Sequence, residues 1–202
     1  MLLLLACTGG TSPTPPEDDV RPQDSDLPEV TEFAPASRAS LKMKRWRQLS
    51  LDLQGALELT EDQVCREAGL YDCAALHVVP LGGLSRDNGV FQPRQELAVT
   101  TTLVVERVTL QACWNRLELD RAAATPLVFH AGLLDGAEAS QDELEAQATE
   151  LVRRFWARDP QPEELALLTG LREGVVEDGG GDAEWAWLTC FTVGTATEAL
   201  LY

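Results

Sequence analysis

Histidine is nearly absent from this 202-residue chain: only His77 and His130 occur, and no Cys-x-x-Cys pair stands anywhere in it. A c-type haem takes two thiols and an adjacent imidazole from a Cys-x-x-Cys-His run, so that chemistry is excluded. Gly-x-Ser-x-Gly is missing too, and with it the nucleophile elbow of the α/β hydrolases. No glycine-rich phosphate loop appears. Basic residues are few, 16 Lys and Arg against 33 Asp and Glu, for a net charge of −17. That balance argues against nucleic acid as a partner and against electrostatic attachment to anionic lipid. Carboxylate doublets are expected at this composition and single out no acid–base pair. The stretch "EDGGGDAE" lacks the ligand alternation of an EF-hand and reads as a solvated loop. The sequence implies no cofactor and no resident metal.

Long apolar runs are equally scarce. Leu2 to Ala6, followed by Cys7, is far too short to span a bilayer. Leu4-Leu5-Ala6-Cys7 resembles a lipobox, the cleavage site of bacterial lipoprotein signal peptides, in which the cysteine becomes the acylated N-terminus. The run is shorter than the usual apolar region of roughly 7–15 residues and has no positive n-region, which points to a clipped signal and a start codon upstream. The segment "TGGTSPTPPEDDVRPQDSDLPEVTEFAPAS" buries too little to repay ordering entropy and is expected to be a disordered tether. The expected organisation is a residual signal peptide over 1–6, a lipidated tether over 7–37 and a helical domain over 38–202. The domain has about 165 residues, enough for a proper core. The lipobox resemblance implies membrane attachment through lipid on Cys7 and a place in the cell envelope. Thr8, where an aspartate would favour the inner membrane, suggests an outer-membrane lipoprotein facing the periplasm or the cell surface.

Five cysteines are present: Cys7, Cys65, Cys73, Cys113 and Cys190. With Cys7 lipidated, four remain, enough for two disulfides in an oxidising compartment. Four cysteines allow three connectivities. A short loop closes easily, which favours Cys65–Cys73 and leaves Cys113–Cys190 as a long-range tie between two helices. In the chain-entropy model a tie of that span contributes about 4–5 kcal/mol. A zinc set of Cys65, Cys73, His77 and a fourth ligand competes with oxidation of those thiols.

Helix signals dominate, and the expected fold class is mainly α: a single-domain helical bundle with a long irregular loop and the N-terminal tether. Thr60 and Gln63 form a capping box for a helix ending near Gly69. Ser140 and Glu143 repeat it, ahead of a helix whose apolar face runs Leu144, Ala148, Leu151, Val152, Phe155 and Trp156 until Pro160 stops it. Pro162, Glu163 and Glu164 open the next. The last carries Trp185, Leu188, Phe191 or Thr192, Ala196 and Ala199 on one side. Between these two, "VEDGGGDAE" reads as a flexible loop. The β-branched stretch around Val104 reads as a helix capped by Thr102, with Leu103, Val104, Val108, Leu110 or Gln111, and Leu117 on its buried side. Lys42, Lys44, Arg45 and Arg47, with Arg38, read as a solvated helix face. "HVVPLGGLSRDNGVFQPRQE" is a long loop, with room for a short hairpin at its edges, and loops of this length in a compact domain tend to be functional or held down by contacts.

Two stretches together resemble exported protein families of planctomycetes and related bacteria, families without assigned activity that often accompany cytochrome c domains. The first is "RWRQLSLDLQGALELTEDQV", where Leu49, Ser50, Leu51, Asp52, Leu53 and Gly55 match and Thr60 and Glu61 stand near the helix start. The family's Pro-Pro is missing, and one extra residue follows Gly55. The second comprises Arg153, Arg154, Phe155, Pro160, Pro162, Glu163, Glu164, Leu201 and Tyr202. Thr197-Glu198 stand where Ser-Pro is expected. The resemblance implies an α-helical exported domain, an accessory of a cytochrome or degradative system. "SLDLQG" then closes a helix, with Asp52 bound to backbone donors or a neighbouring arginine.

Candidate binding residues lie mainly in the long loop: His77, Ser85, Arg86 and Asn88. Ser85 with His77 or His130 is the combination open to a hydrolase. Trp185 joins the set because Trp185 and Trp187 cannot share one helix face, which leaves one of them outward as a contact for a partner. The expected function is binding or scaffolding in the envelope, with a protein or polymer partner. The alternatives are an accessory subunit of an exported cytochrome or degradative system, and a small hydrolase.

Overall fold

A computed structural model describes residues 42–84, 99–136 and 138–201. They belong to one unit, Ser40–Tyr202. Cys7, Arg38, Ser85, Arg86, Asn88, Tyr202 and the expected tether lie outside the described residues. The described elements are α1 (Trp46–Leu57), α2 (Glu61–Val64), β1 (Arg66–Glu67), β2 (Tyr71–Asp72), α3 (Cys73–His77), α4 (Val99–Ala122), α5 (Ala131–Leu134), α6 (Gln141–Trp156), α7 (Pro162–Glu177), α8 (Asp182–Thr195) and α9 (Thr197–Leu200). The fold is mainly α, as expected. Among the described residues no helix is long and apolar enough to cross a membrane.

The centre is a bundle of α1, α4, α6 and α8. Leu49, Leu53 and Leu57 of α1, Val105, Val108, Ala112 and Leu117 of α4, Leu144 and Leu151 of α6, and Trp185 and Ala186 of α8 form one core. Ala148, Val152, Leu168 and Val193 make a smaller cluster beneath α7. The Cys113–Cys190 disulfide bolts α4 to α8, with Cα atoms 6.0 Å apart. Nearby, a Cβ on Gly194 would lie 2.7 Å from the Thr109 side chain, so the glycine lets the two helices approach closely. The two ends of the described chain meet: the Lys44 N–H donates to Leu200 O at 2.8 Å, beside a bridge between Met43 and Leu201.

Buried polar side chains tie the connections to the bundle. Asp120 accepts from the backbone N–H groups of Leu127, Val128 and Phe129 and pairs with Arg116 at 2.7 Å. Gln147, fully buried, accepts from His130 N–H and donates to Val128 O. A carboxylate or amide that collects several orphan backbone groups turns a loop into part of the core.

Several expectations need correcting. The helix beginning at Thr60 lasts one turn: Gln63 accepts from the Thr60 N–H, but Cys65 is extended and a hairpin follows. The disulfide to Cys73 requires that reversal. "SLDLQG" lies in the interior of α1 rather than at its close, and Asp52 pairs with Lys44 at 2.6 Å while accepting from Gln48. Of the basic group, Arg47 alone is on α1; Arg45 is its N-cap, and Lys42 and Lys44 precede it. Helix α4 already includes Thr102, whose hydroxyl donates to Val99 O. Val108 and Leu117 are buried as expected, but the buried side also carries Thr101, Val105, Thr109, Arg116 and Asp120, so polar residues blur its apolar period, while Leu103 is exposed. Helix α8 likewise buries Ala186, Thr189, Cys190 and Val193 beside Trp185. In "VEDGGGDAE", Asp182 is no solvated loop acid: it opens α8, accepts the Ala139 N–H at 2.6 Å and binds Arg172. Burial pushes its carboxyl up, but Arg172 and the Ala139 N–H outweigh that and hold it below the ordinary aspartate range.

Candidate functional site: a stapled knob along the longest helix

The reversal after α2 is short. Two residues per strand pair in antiparallel register, Arg66 with Asp72 and Glu67 with Tyr71. The connection uses left-handed backbone at Ala68 and Gly69. A ribbon this small has little stability of its own. The Cys65–Cys73 disulfide closes its base, with Cα atoms 5.6 Å apart. Both pairings favoured by the sequence are therefore the ones observed.

The knob and the turn that follows it are tied to α4 at three heights. Asn115 Nδ2 donates to Gln63 O at 2.7 Å. Arg107 pairs with Glu67 through its second carboxylate oxygen. Thr101 Oγ1 donates to Pro80 O at 2.7 Å. Glu67 is the hub, because its other oxygen lies 2.6 Å from His77 Nε2. That contact fixes the orientation of the ring. His77, singled out by sequence, is thus half-buried and held; its role is to fasten α3 to the ribbon. Glu67 and Arg107 had no sequence signal beyond ordinary charge.

Large apolar side chains stand exposed on the same elements, among the charged Arg66, Asp72 and Arg107. Leu70 and Tyr71 stand at the end of the ribbon, with Tyr71 on the same side as Glu67 because directly paired residues share a face. Leu76 is exposed on α3. Val99 and Leu103, the latter 60 % exposed, precede Arg107 at four-residue steps and so lie on one stripe of α4. Farther along, Trp114 is partly exposed and rests edge-on against Trp187, ring centroids 5.1 Å apart. Large apolar side chains gathered outside a core mark interaction surfaces more often than scattered single ones do. The sequence pattern did not isolate this set, since it placed Leu103 on the buried side of its helix.

Trp185 does not belong to this surface. Its ring is fully buried, and Nε1 donates to Leu168 O at 2.9 Å. Trp187 is half-buried with Nε1 on Leu110 O. Both tryptophans are held inward because each N–H finds a carbonyl on a neighbouring helix, and Trp114 is the outward one. His130 is the N-cap of α5, beside a shallow cleft of about 450 Å³ lined in part by Phe129 and Glu150. Among the described residues no three His, Cys, Asp or Glu side chains converge in a way that would hold a metal ion. Comparison with protein-family models, curated proteins and solved structures returned no match to this chain.

Proposed function

We propose that the chain is an exported helical module, anchored by lipid on Cys7, that binds a protein partner in the cell envelope through the knob and the outer stripe of α4. The observation that carries this reading is the exposed apolar set Leu70, Tyr71, Leu76, Val99 and Leu103, displayed on a framework fixed by a disulfide and by Glu67. Fixed display lowers the ordering cost of association. Two disulfides suit an oxidising compartment, and a lipidated tether would raise the module's effective concentration at the membrane. Where the partner is a haem protein, the module is the accessory subunit that the planctomycete resemblance implies.

Crosslinking in the native envelope, followed by purification and mass spectrometry, tests this. The expected result is a defined partner that disappears in Leu103→Asp while the circular dichroism spectrum is unchanged. Identical capture by both proteins overturns the surface. The N-terminal peptide of the same digest tests the anchor: acylated Cys7 supports it, and a free thiol there removes it.

A small hydrolase has one observation in its favour, the carboxylate of Glu67 on His77, which orients the ring as an acid orients a catalytic imidazole. Ser85, the nucleophile in that reading, lies outside the described residues. Ester hydrolysis lost in both Ser85→Ala and His77→Ala would put this reading in place of binding.

A further inference from the structure

Helix α7 is packed unlike its neighbours. Of its sixteen residues only Leu168 is buried. Leu167 is 73 % exposed, and Leu171 is exposed one turn later. Gly170 and Gly174 interrupt the helix interior, where glycine is unfavourable relative to alanine. A Cβ at either would meet nothing within 4 Å, whereas one at Gly194 would strike Thr109 and Phe155. The bundle itself thus gives no reason for these two glycines. Between α6 and α7 runs a groove of about 360 Å³ lined by Gln141, Glu145, Leu165, Ala166, Thr169 and Gly170. At about 3.6 residues per turn, Leu167 and Leu171 form a ridge on the flank of α7 away from that groove, with Gly170 and Gly174 between.

The charge of this face names its occupant. Glu163, Glu173 and Glu177 share the outward side and are exposed. No cation pairs with them among the described residues. Glu145, at the groove, takes its hydrogen bond from Gln141. A second copy of α7 would set carboxylate against carboxylate. We infer that this face docks an amphipathic helix of a partner protein that lies over Gly170 and Gly174, its apolar side chains spanning from the edge of the groove to the Leu167 ridge and its lysines or arginines meeting these acids. The knob and the α4 stripe play no part in this contact.

The test is fluorescence anisotropy with the full chain and a labelled Leu/Lys peptide of about 18 residues, patterned for one apolar helical face. Gly170→Leu fills the groove, and Leu167→Glu removes the ridge while adding negative charge. Docking predicts that both weaken binding by about tenfold or more, that Trp114→Ala leaves it unchanged, and that the matching Leu/Glu peptide fails to bind. Because the added carboxylate strengthens purely electrostatic attraction, unchanged or tighter binding in Leu167→Glu overturns the proposal. Equal binding of the Leu/Glu peptide, or no loss in Gly170→Leu, overturns it as well.

Discussion

The bundle and the knob hold together in opposite ways. In the bundle, apolar side chains interlock, and Asp120, Gln147 and Asp182 collect backbone donors from the connecting loops. In the knob, two-residue strands carry almost no core, and shape depends on one short-range disulfide and the hub at Glu67. Its leucines and tyrosine are left outside. The bundle spends its apolar residues on stability, and the knob keeps its own for display.

The largest test of this contrast is removal of the staple in the bundle. Cys113 and Cys190 are 77 positions apart. Replacing both by serine should lower unfolding free energy by about 4–5 kcal/mol in the chain-entropy model, read by denaturant titration. Asp120→Ala follows closely. It leaves Arg116 buried without its partner and three N–H groups unmet, a loss of about 3–5 kcal/mol in the same assay. A loss well under 1 kcal/mol would show that the loop after α4 is not held as described.

The knob should respond differently. Cys65 and Cys73 close a loop with a separation of 8, which the same model values at about 2–3 kcal/mol. The double serine variant should lose hydrogen-exchange protection over 63–77 while α6 and α8 keep theirs. Uniform loss across the chain would erase the distinction between the two regions.

The smallest effect expected is in the α6–α7 connection. The Arg158 guanidinium, together with the Gln161 N–H, holds the Glu164 carboxyl well below its ordinary value, at about 2. A carboxyl depressed on folding contributes stability above its unfolded value of 4.5, and that contribution fades as pH falls through about 2. The pair is solvent-screened, so Glu164→Gln should cost at most about 1 kcal/mol at neutral pH. Thermal melts of the two proteins should converge as pH falls from 4.5 toward 2. A gap that persists unchanged would assign the effect to packing.

What could be read beforehand follows the same division. Local chemistry was legible: the Ser140–Glu143 cap, Pro162 at the start of α7, and the apolar face of α6 through Leu151 and Val152 all depend on near neighbours in sequence. The disulfide pairing was legible from loop length. The buried side of α4 was legible only at Val108 and Leu117, because Arg116 and Asp120 enter the core as an ion pair along the helix and take further partners from Glu58 and the loop after α4. The one-turn α2 was missed because its helical cap is real, while the bond from Cys65 to Cys73 acts after it. Tryptophan placement at 185 and 187 depended on which carbonyl each indole reaches, a tertiary matter. The apolar display surface was not legible: Leu103 fits the expected buried side of its helix, and the structure leaves it exposed.

The most direct measurement is photocrosslinking in the envelope with a benzophenone amino acid placed either at Leu103, on the α4 stripe, or at Leu51, also exposed, on α1. A discrete adduct from position 103 and none from 51 is the predicted result. No adduct at 103, or the same adducts from both positions, would contradict the claim that the knob and its helix form the recognition surface.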